Sequence, residues 1–194
     1  MDTDALPAII RRADLPSLDL SKHQLYAMAA AGDLEQIAPG IYARTGELDD
    51  TTATWASVSL RKPAATICLL SALSLHDLTD EIPRETDIAL PRGERTLATR
   101  FTPIRWHSFD PATFNLGRIQ HDLIDRSATI GLYSAERTII DAFRLRHEVG
   151  PDIATEALKR WLRRRSSTPA TLLELARPFP HALPALRSTL EILL

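Results

Sequence analysis

An α+β fold is predicted by three observations: helix-like stretches and a turn-centred extended pair fill the first 48 residues, extended segments cluster between residues 86 and 132, and helical patterns with well-marked starts occupy residues 134–193. The first group reads as an N-terminal winged helix-turn-helix head, residues 1–48. The remainder, residues 49–194, reads as a mixed α/β domain with a small sheet and C-terminal helices.

In the head, Leu6, Ile9, Ile10 and Ala13 recur at helical spacing and predict a first helix from about Asp4 to Ala13, ended by Leu15-Pro16-Ser17. Ser21-Lys22-His23-Gln24 forms a capping box, in which the serine oxygen accepts from the Gln24 amide and the Gln24 side chain accepts from the serine amide. It predicts a second helix with Leu25, Met28 and Ala29 facing inward and Gly32 as its left-handed stop. Leu34 to Arg44 reads as two short strands around Pro39-Gly40, a proline-then-glycine pair that specifies a type II turn. Helix, helix and hairpin within fifty residues is the economy of a winged helix, and the polar, acidic stretch from Thr45 to Thr52 marks the expected boundary.

The larger part opens with helical patterns at Thr52–Arg61 and Ala65–Leu75, separated by Pro63. Strands are expected at Thr86–Leu90 and Phe101–Phe109, then as a pair at Gly117–Ile124 and Ala128–Leu132 joined through Asp125-Arg126. Helices are expected at Ser134–Arg146, Pro151–Arg165, Pro169–Ala176 and about Ala182–Leu193. Pro151 after Gly150 and Pro169 after Thr168 sit at first helical positions, where a missing N–H costs nothing.

Composition narrows the function classes. The 44% hydrophobic and 25% charged content is that of ordinary globular proteins. The lone cysteine, Cys68, excludes a disulfide framework or a thiolate metal site and fits a reducing cytoplasm. Asp2 and Asp4 stand where a secretory signal would be basic, and no apolar run approaches the roughly 18 residues of a membrane span, so a cytoplasmic protein without membrane contact is expected. The net charge of −2 is unevenly spread: residues 1–50 carry four basic and nine acidic groups, residues 151–194 seven and four. A DNA-binding surface on the head must therefore work with few cations.

Catalysis is not expected. A metal-dependent nuclease needs carboxylates and a lysine converging on Mg²⁺, yet the lysines are only Lys22, Lys62 and Lys159, and no strand carries an acid-x-lysine ending. The six histidines lack metal-ligand spacing, and the adjacent pairs His76-Asp77 and His121-Asp122 need not converge. Neither a phosphate-cradling glycine loop nor a nucleophile elbow is present. No catalytic residue, cofactor or metal is predicted.

Two residue sets are the candidates for binding. In a winged helix the second helix enters the major groove N-terminus first, which selects Lys22, His23 and Gln24 for base edges, with Arg44 on the wing and Arg11 and Arg12 beside the first helix for phosphates. The second set is Lys159, Arg160, Arg163, Arg164 and Arg165. On a helix buried through Ile153, Ala157, Trp161 and Leu162, Lys159 with Arg163 and Arg160 with Arg164 line neighbouring solvated rows that suit an acidic protein or a DNA backbone, or simply complement the helix macrodipole. Arg137 and Asp141, four apart in Ser134–Arg146, read as a structural pair.

Four strings, in order along nearly the whole chain, carry a family resemblance: GDLEQIAPGIYAR (Gly32–Arg44), ATICLLSALSLHDLTDEIP (Ala65–Pro83), DIALPR (Asp87–Arg92) and GLYSAERTIIDAFRLRHEVGPDIATEAL (Gly131–Leu158). They resemble the wing, the serine-alanine-leucine segment, the following strand and the glutamate-arginine-threonine helix of AbiEi-type abortive-infection antitoxins. The resemblance implies a transcriptional autorepressor whose head binds operator DNA upstream of its own operon and whose C-terminal domain counteracts a cognate nucleotidyltransferase toxin in a phage-defence system. Where that family commonly shows arginines in the recognition helix and wing, this chain has Ala29-Ala30-Ala31, Glu35 and Gln36. The alternative is a protein-binding antitoxin that masks the toxin directly without DNA.

Overall fold

A computed structural model describes residues 6–124 and 127–194. The expected start at Asp4 and the connection through Asp125-Arg126 lie outside the described residues. The architecture is α+β, and contacts group it into two compact units, residues 1–65, 97–103 and 120–130, and residues 66–96, 104–119 and 131–194. That partition cuts elsewhere than the expected 48/49 boundary, because segments far apart in sequence share each unit.

The first unit departs from expectation at its beginning. Instead of a helix through Ala13 the chain forms strand β1 (Ile9–Arg11) and a 3-10 turn over Arg12–Leu18. The reason lies in Ile9 and Ile10, two buried β-branched neighbours that suit an extended strand, and in β3, which supplies the pairing partner. Helix α1 (Lys22–Ala31) follows, with both halves of the capping box made and Gly32 left-handed at φ 85°. Strands β2 (Leu34–Ala38) and β3 (Ile41–Arg44) turn through Gly40 at φ 73° and complete a three-stranded antiparallel sheet ordered β1-β3-β2, with Ile10 opposite Tyr42 and Leu34 opposite Arg44. Ile10, Leu15, Leu20, Leu25, Met28, Leu34 and Tyr42 form its core.

Helix α2 (Asp50–Arg61) belongs to the same unit and starts at Asp49, whose carboxylate accepts from the Thr51 and Thr52 amides at 2.9 and 3.0 Å and from the Thr52 hydroxyl at 2.8 Å. These bonds, the Thr52 amide foremost, hold the Asp49 carboxyl below the usual aspartate range. Asp49→Ala is expected to lower stability by about 1 kcal/mol at neutral pH. Because the folded pKa is depressed, the ionic part of the contribution is present above the unfolded aspartate value, roughly 3.9, and is lost as pH falls through the folded one. Urea unfolding of the two proteins at pH 7 and near pH 3 reads it: the gap between them should narrow on acidification.

The larger sheet has five strands ordered β6-β5-β4-β8-β7. Its central strand β4 is only Thr66–Ile67, hydrogen-bonded antiparallel to β5 (Thr86–Pro91) and parallel to β8 (Thr129–Tyr133); β5 also runs parallel to β6 (Ile104–Phe109), and β7 (Arg118–Asp122) lies beyond β8. The helix expected from Ala65 thus begins as a strand. Thr66 and Ile67 are β-branched and fully buried, and two flanking strands satisfy their backbone, so helix α3 is delayed to Leu69–Leu75. The strand expected from Phe101 begins only at Ile104. A short helix α4 (Pro111–Phe114), not foreseen, is capped by Asp110.

The expected helix at 134–146 is α5 (Ala135–Arg144) followed after Leu145 by the single turn α6 (Arg146–Val149). Helices α7 (Pro151–Leu162), α8 (Pro169–Ala176) and α9 (Leu183–Leu193) complete the chain and pack Leu158, Trp161, Leu172, Leu186 and Leu190 against Ile139, Ile140 and Phe143 of α5. Helix α7 stops three residues short of expectation, so Arg163, Arg164 and Arg165 leave the helix rather than extend its face. No helix among the described residues is long and apolar enough to cross a membrane.

Candidate nucleic-acid interface

Helix α1 presents Lys22, His23 and Gln24 to solvent over its first turn, while Leu25 and Met28 anchor the opposite side. Tyr26, 47% exposed, extends the same surface, four and three residues on from Lys22 and His23, a helical spacing that the charge pattern alone does not bring out. The helix contains no carboxylate, although the head as a whole is acidic.

The capping box restricts what Gln24 can do. Its Oε1 accepts from the Ser21 amide at 2.8 Å, and the Ser21 hydroxyl accepts from the Gln24 amide at 3.1 Å. A bidentate contact with adenine requires that same carbonyl oxygen, so Gln24 is left as a single-point donor while the cap is intact.

The three arginines expected on phosphates differ in availability. Arg11, on β1, clasps Asp14 through Nε and Nη2 at 2.6 and 2.7 Å, and that hydrogen bonding raises its pKa further above neutrality. Arg44, closing β3, is ion-paired with Glu47 at 2.8 Å and its side chain is only 17% exposed. Arg12 is exposed at the start of the 3-10 turn. Arg11 and Arg44 are thus paired with neighbouring acids, Arg11 at an exposed position and Arg44 at a largely buried one, while Lys22, His23 and Arg12 stand exposed. Asp14 and Glu47, which weighed against the head in a count of charges, are thereby locally neutralised.

Of the C-terminal basic set, Arg160 pairs with Asp80 at 2.8 Å through Nη1 and contacts it again through Nη2; it also meets Glu156 at 3.4 Å. The Arg160 hydrogen bonds pull the Asp80 carboxyl below its usual range. Arg164 donates to the His76 carbonyl and Lys159 lies 4.0 Å from Glu156. Only Arg163 and Arg165 stand exposed beyond the helix end. The expected pair of parallel cationic rows is not formed, since two of its members are spent on holding α7 to the 76–80 turn.

The fold has a solved counterpart. A crystal structure of the Rv2827c protein from Mycobacterium tuberculosis superposes with a TM-score of 0.55 at 16% sequence identity, over 96% of this chain and 78% of that one. At that identity the likeness establishes shared architecture and nothing about activity. No family model matches the sequence. Among curated proteins there is likewise no match. Among the described residues no cluster of three or more histidine, cysteine, aspartate or glutamate side chains is arranged to hold a metal ion.

Proposed function

We propose that this chain is a cytoplasmic antitoxin of the AbiEi type, a winged-helix autorepressor that binds operator DNA upstream of its own operon and counteracts a cognate nucleotidyltransferase toxin, and that it is not itself an enzyme. The observation that carries the proposal is the exposed first turn of α1: Lys22, His23, Gln24 and Tyr26 on a helix that contains no carboxylate, entered through a completed capping box beside a three-stranded sheet. In this reading β2 and β3 are the wing, α1 enters the major groove, and Lys22 and Arg12 neutralise phosphates while His23 and the side-chain NH2 of Gln24 meet base edges. The family resemblance supports the toxin pairing, and the exposed Arg163 and Arg165 offer cations to an acidic partner surface.

The test is a titration of the protein against a labelled duplex of its own upstream region and a scrambled duplex at about 0.15 M salt, with a Lys22→Ala, His23→Ala double variant alongside. Preference for the upstream duplex, weakened about tenfold or more by the double change, is the expected result. Equal affinity for both duplexes would remove the repressor role.

A second reading is favoured by the ion pairs of Arg11 with Asp14 and Arg44 with Glu47, which withhold two of the expected phosphate contacts. In it the chain masks the toxin directly and does not bind DNA. Complex formation with the protein encoded alongside it, weakly dependent on salt, would support that reading, because counterion release makes DNA binding fall steeply with salt.

A further inference from the structure

We infer that Arg100 and Arg61 form a phosphate-binding cleft beside the β2–β3 hairpin, supplying from distant parts of the chain the cationic charge that the hairpin's own sequence lacks. The inference rests on the DNA-binding reading above and extends it to a contact that no local motif encodes. The hairpin carries Glu35 and Gln36 where a DNA-contacting wing would profit from cations. Residues 97–103, between β5 and β6, belong to the same compact unit as the hairpin. There the Arg100 Nη1 donates to the Gln36 carbonyl at 2.9 Å, and Nη2 lies 3.8 Å from the Glu35 carboxylate.

This placement is built rather than incidental. Thr102 is fastened to Thr54 of α2 through its amide at 3.1 Å and its hydroxyl at 3.0 Å, and the Thr99 hydroxyl donates back to the Thr102 carbonyl at 2.9 Å. The guanidinium lies over the Phe101 ring, 5.2 Å from its centroid, which limits its freedom while 64% of the side chain remains exposed. One carbonyl and a carboxylate at 3.8 Å leave several of its five N–H donors for a further acceptor. Arg61, exposed on the last turn of α2, lines the same open cleft of about 340 Å³, together with Gln36, Ala38, Pro39 and Thr99.

Two guanidiniums beside an open groove suit the oxygens of a polynucleotide backbone, to which arginine binds through paired N–H groups. Arg100, 3.8 Å from Glu35, partly offsets that carboxylate, and Arg61 adds a second cation to the cleft. Contacts of this kind orient the protein on the duplex without reading bases, so they act on any sequence.

The experiment measures affinity of the wild type, an Arg61→Gln, Arg100→Gln double variant and Arg100→Lys for the upstream and scrambled duplexes between about 0.05 and 0.25 M salt, with thermal melting as the check on folding. The double variant should bind both duplexes more weakly by a similar factor, with the slope of log affinity against log salt reduced by about two, while Arg100→Lys keeps the wild-type slope. If the double variant does not fold, Arg61→Gln alone decides, with a slope lower by about one expected. An unchanged slope in a variant that still folds, with Lys22→Ala, His23→Ala weakening binding, overturns this cleft and leaves the DNA-binding reading standing. A wild type that binds neither duplex overturns both.

Discussion

Arg137→Met is expected to lower the stability of the protein by about 3–5 kcal/mol, read by urea unfolding at neutral pH. Arg137 and Asp141 on α5 are both fully buried and joined at 2.9 Å. The same guanidinium donates through Nη1 to the carbonyls of Thr113 and Leu116 at 2.7 and 2.6 Å, so one side chain fastens α5 to α4 and to the turn that follows it. Its face is covered by Tyr133 and Phe179, whose ring centroids lie 4.3 and 4.4 Å from the guanidinium carbon. Methionine fills much of the volume but leaves Asp141 with only the Arg144 contacts at 2.9 and 3.1 Å and strands two carbonyls in the core.

A companion change separates charge from packing in that result. Arg137→Met, Asp141→Leu removes the buried carboxylate that Arg144 alone would otherwise have to balance, and replacement of both partners by apolar groups is less costly than loss of one. The double variant should recover a measurable part of the lost stability. If the single change costs under about 1 kcal/mol, the pair contributes little and the buried network is not what holds the turn.

Gly117→Ala should be comparably damaging, by about 2–5 kcal/mol, with the same unfolding measurement as its check. Gly117 adopts φ +68°, and a Cβ there would sit 2.6 Å from the Arg137 Cβ, an atom fixed to the α5 backbone that cannot swing away. The residue also supplies the carbonyl that accepts from the Ser134 amide at 2.7 Å, just where α5 is capped. The alanine thus meets a steric and a conformational penalty together. A contrast is Gly32→Ala: its φ is similarly positive at 85°, but nothing lies within 4 Å of the added Cβ, so only the conformational cost of roughly 1–2 kcal/mol applies.

Both predictions concern a site whose importance was only half legible in the chain. The i, i+4 spacing of Arg137 and Asp141 on a helix is a local property, and the sequence predicts the pair. That Thr113, Leu116, Tyr133 and Phe179 surround it depends on contacts between residues up to 42 positions apart, which no periodicity reveals. The binding residues divide in the same way. The capping box places Lys22, His23 and Gln24 on the first turn of an exposed helix because the bonds that define it span three residues. The neutralisation of Arg44 by Glu47 is also short-range, yet charge counting alone treats the two as independent.

What the sequence by itself determined here is whatever is settled within about one turn: the cap at Ser21, the left-handed Gly32, the Pro39-Gly40 turn, and the helix starts at Pro151 and Pro169. Tertiary structure alone decided three other matters. Ile9–Arg11 is a strand because β3 offers it a partner; Thr66–Ile67 is a strand because β5 and β8 flank it; and Arg100 stands beside Gln36 because the Thr102–Thr54 bonds return a distant loop to the first unit. The physical reason is common to all three. A two- or three-residue strand and a loop anchor have almost no intrinsic preference, so the free energy that selects them comes from partners supplied by the rest of the chain.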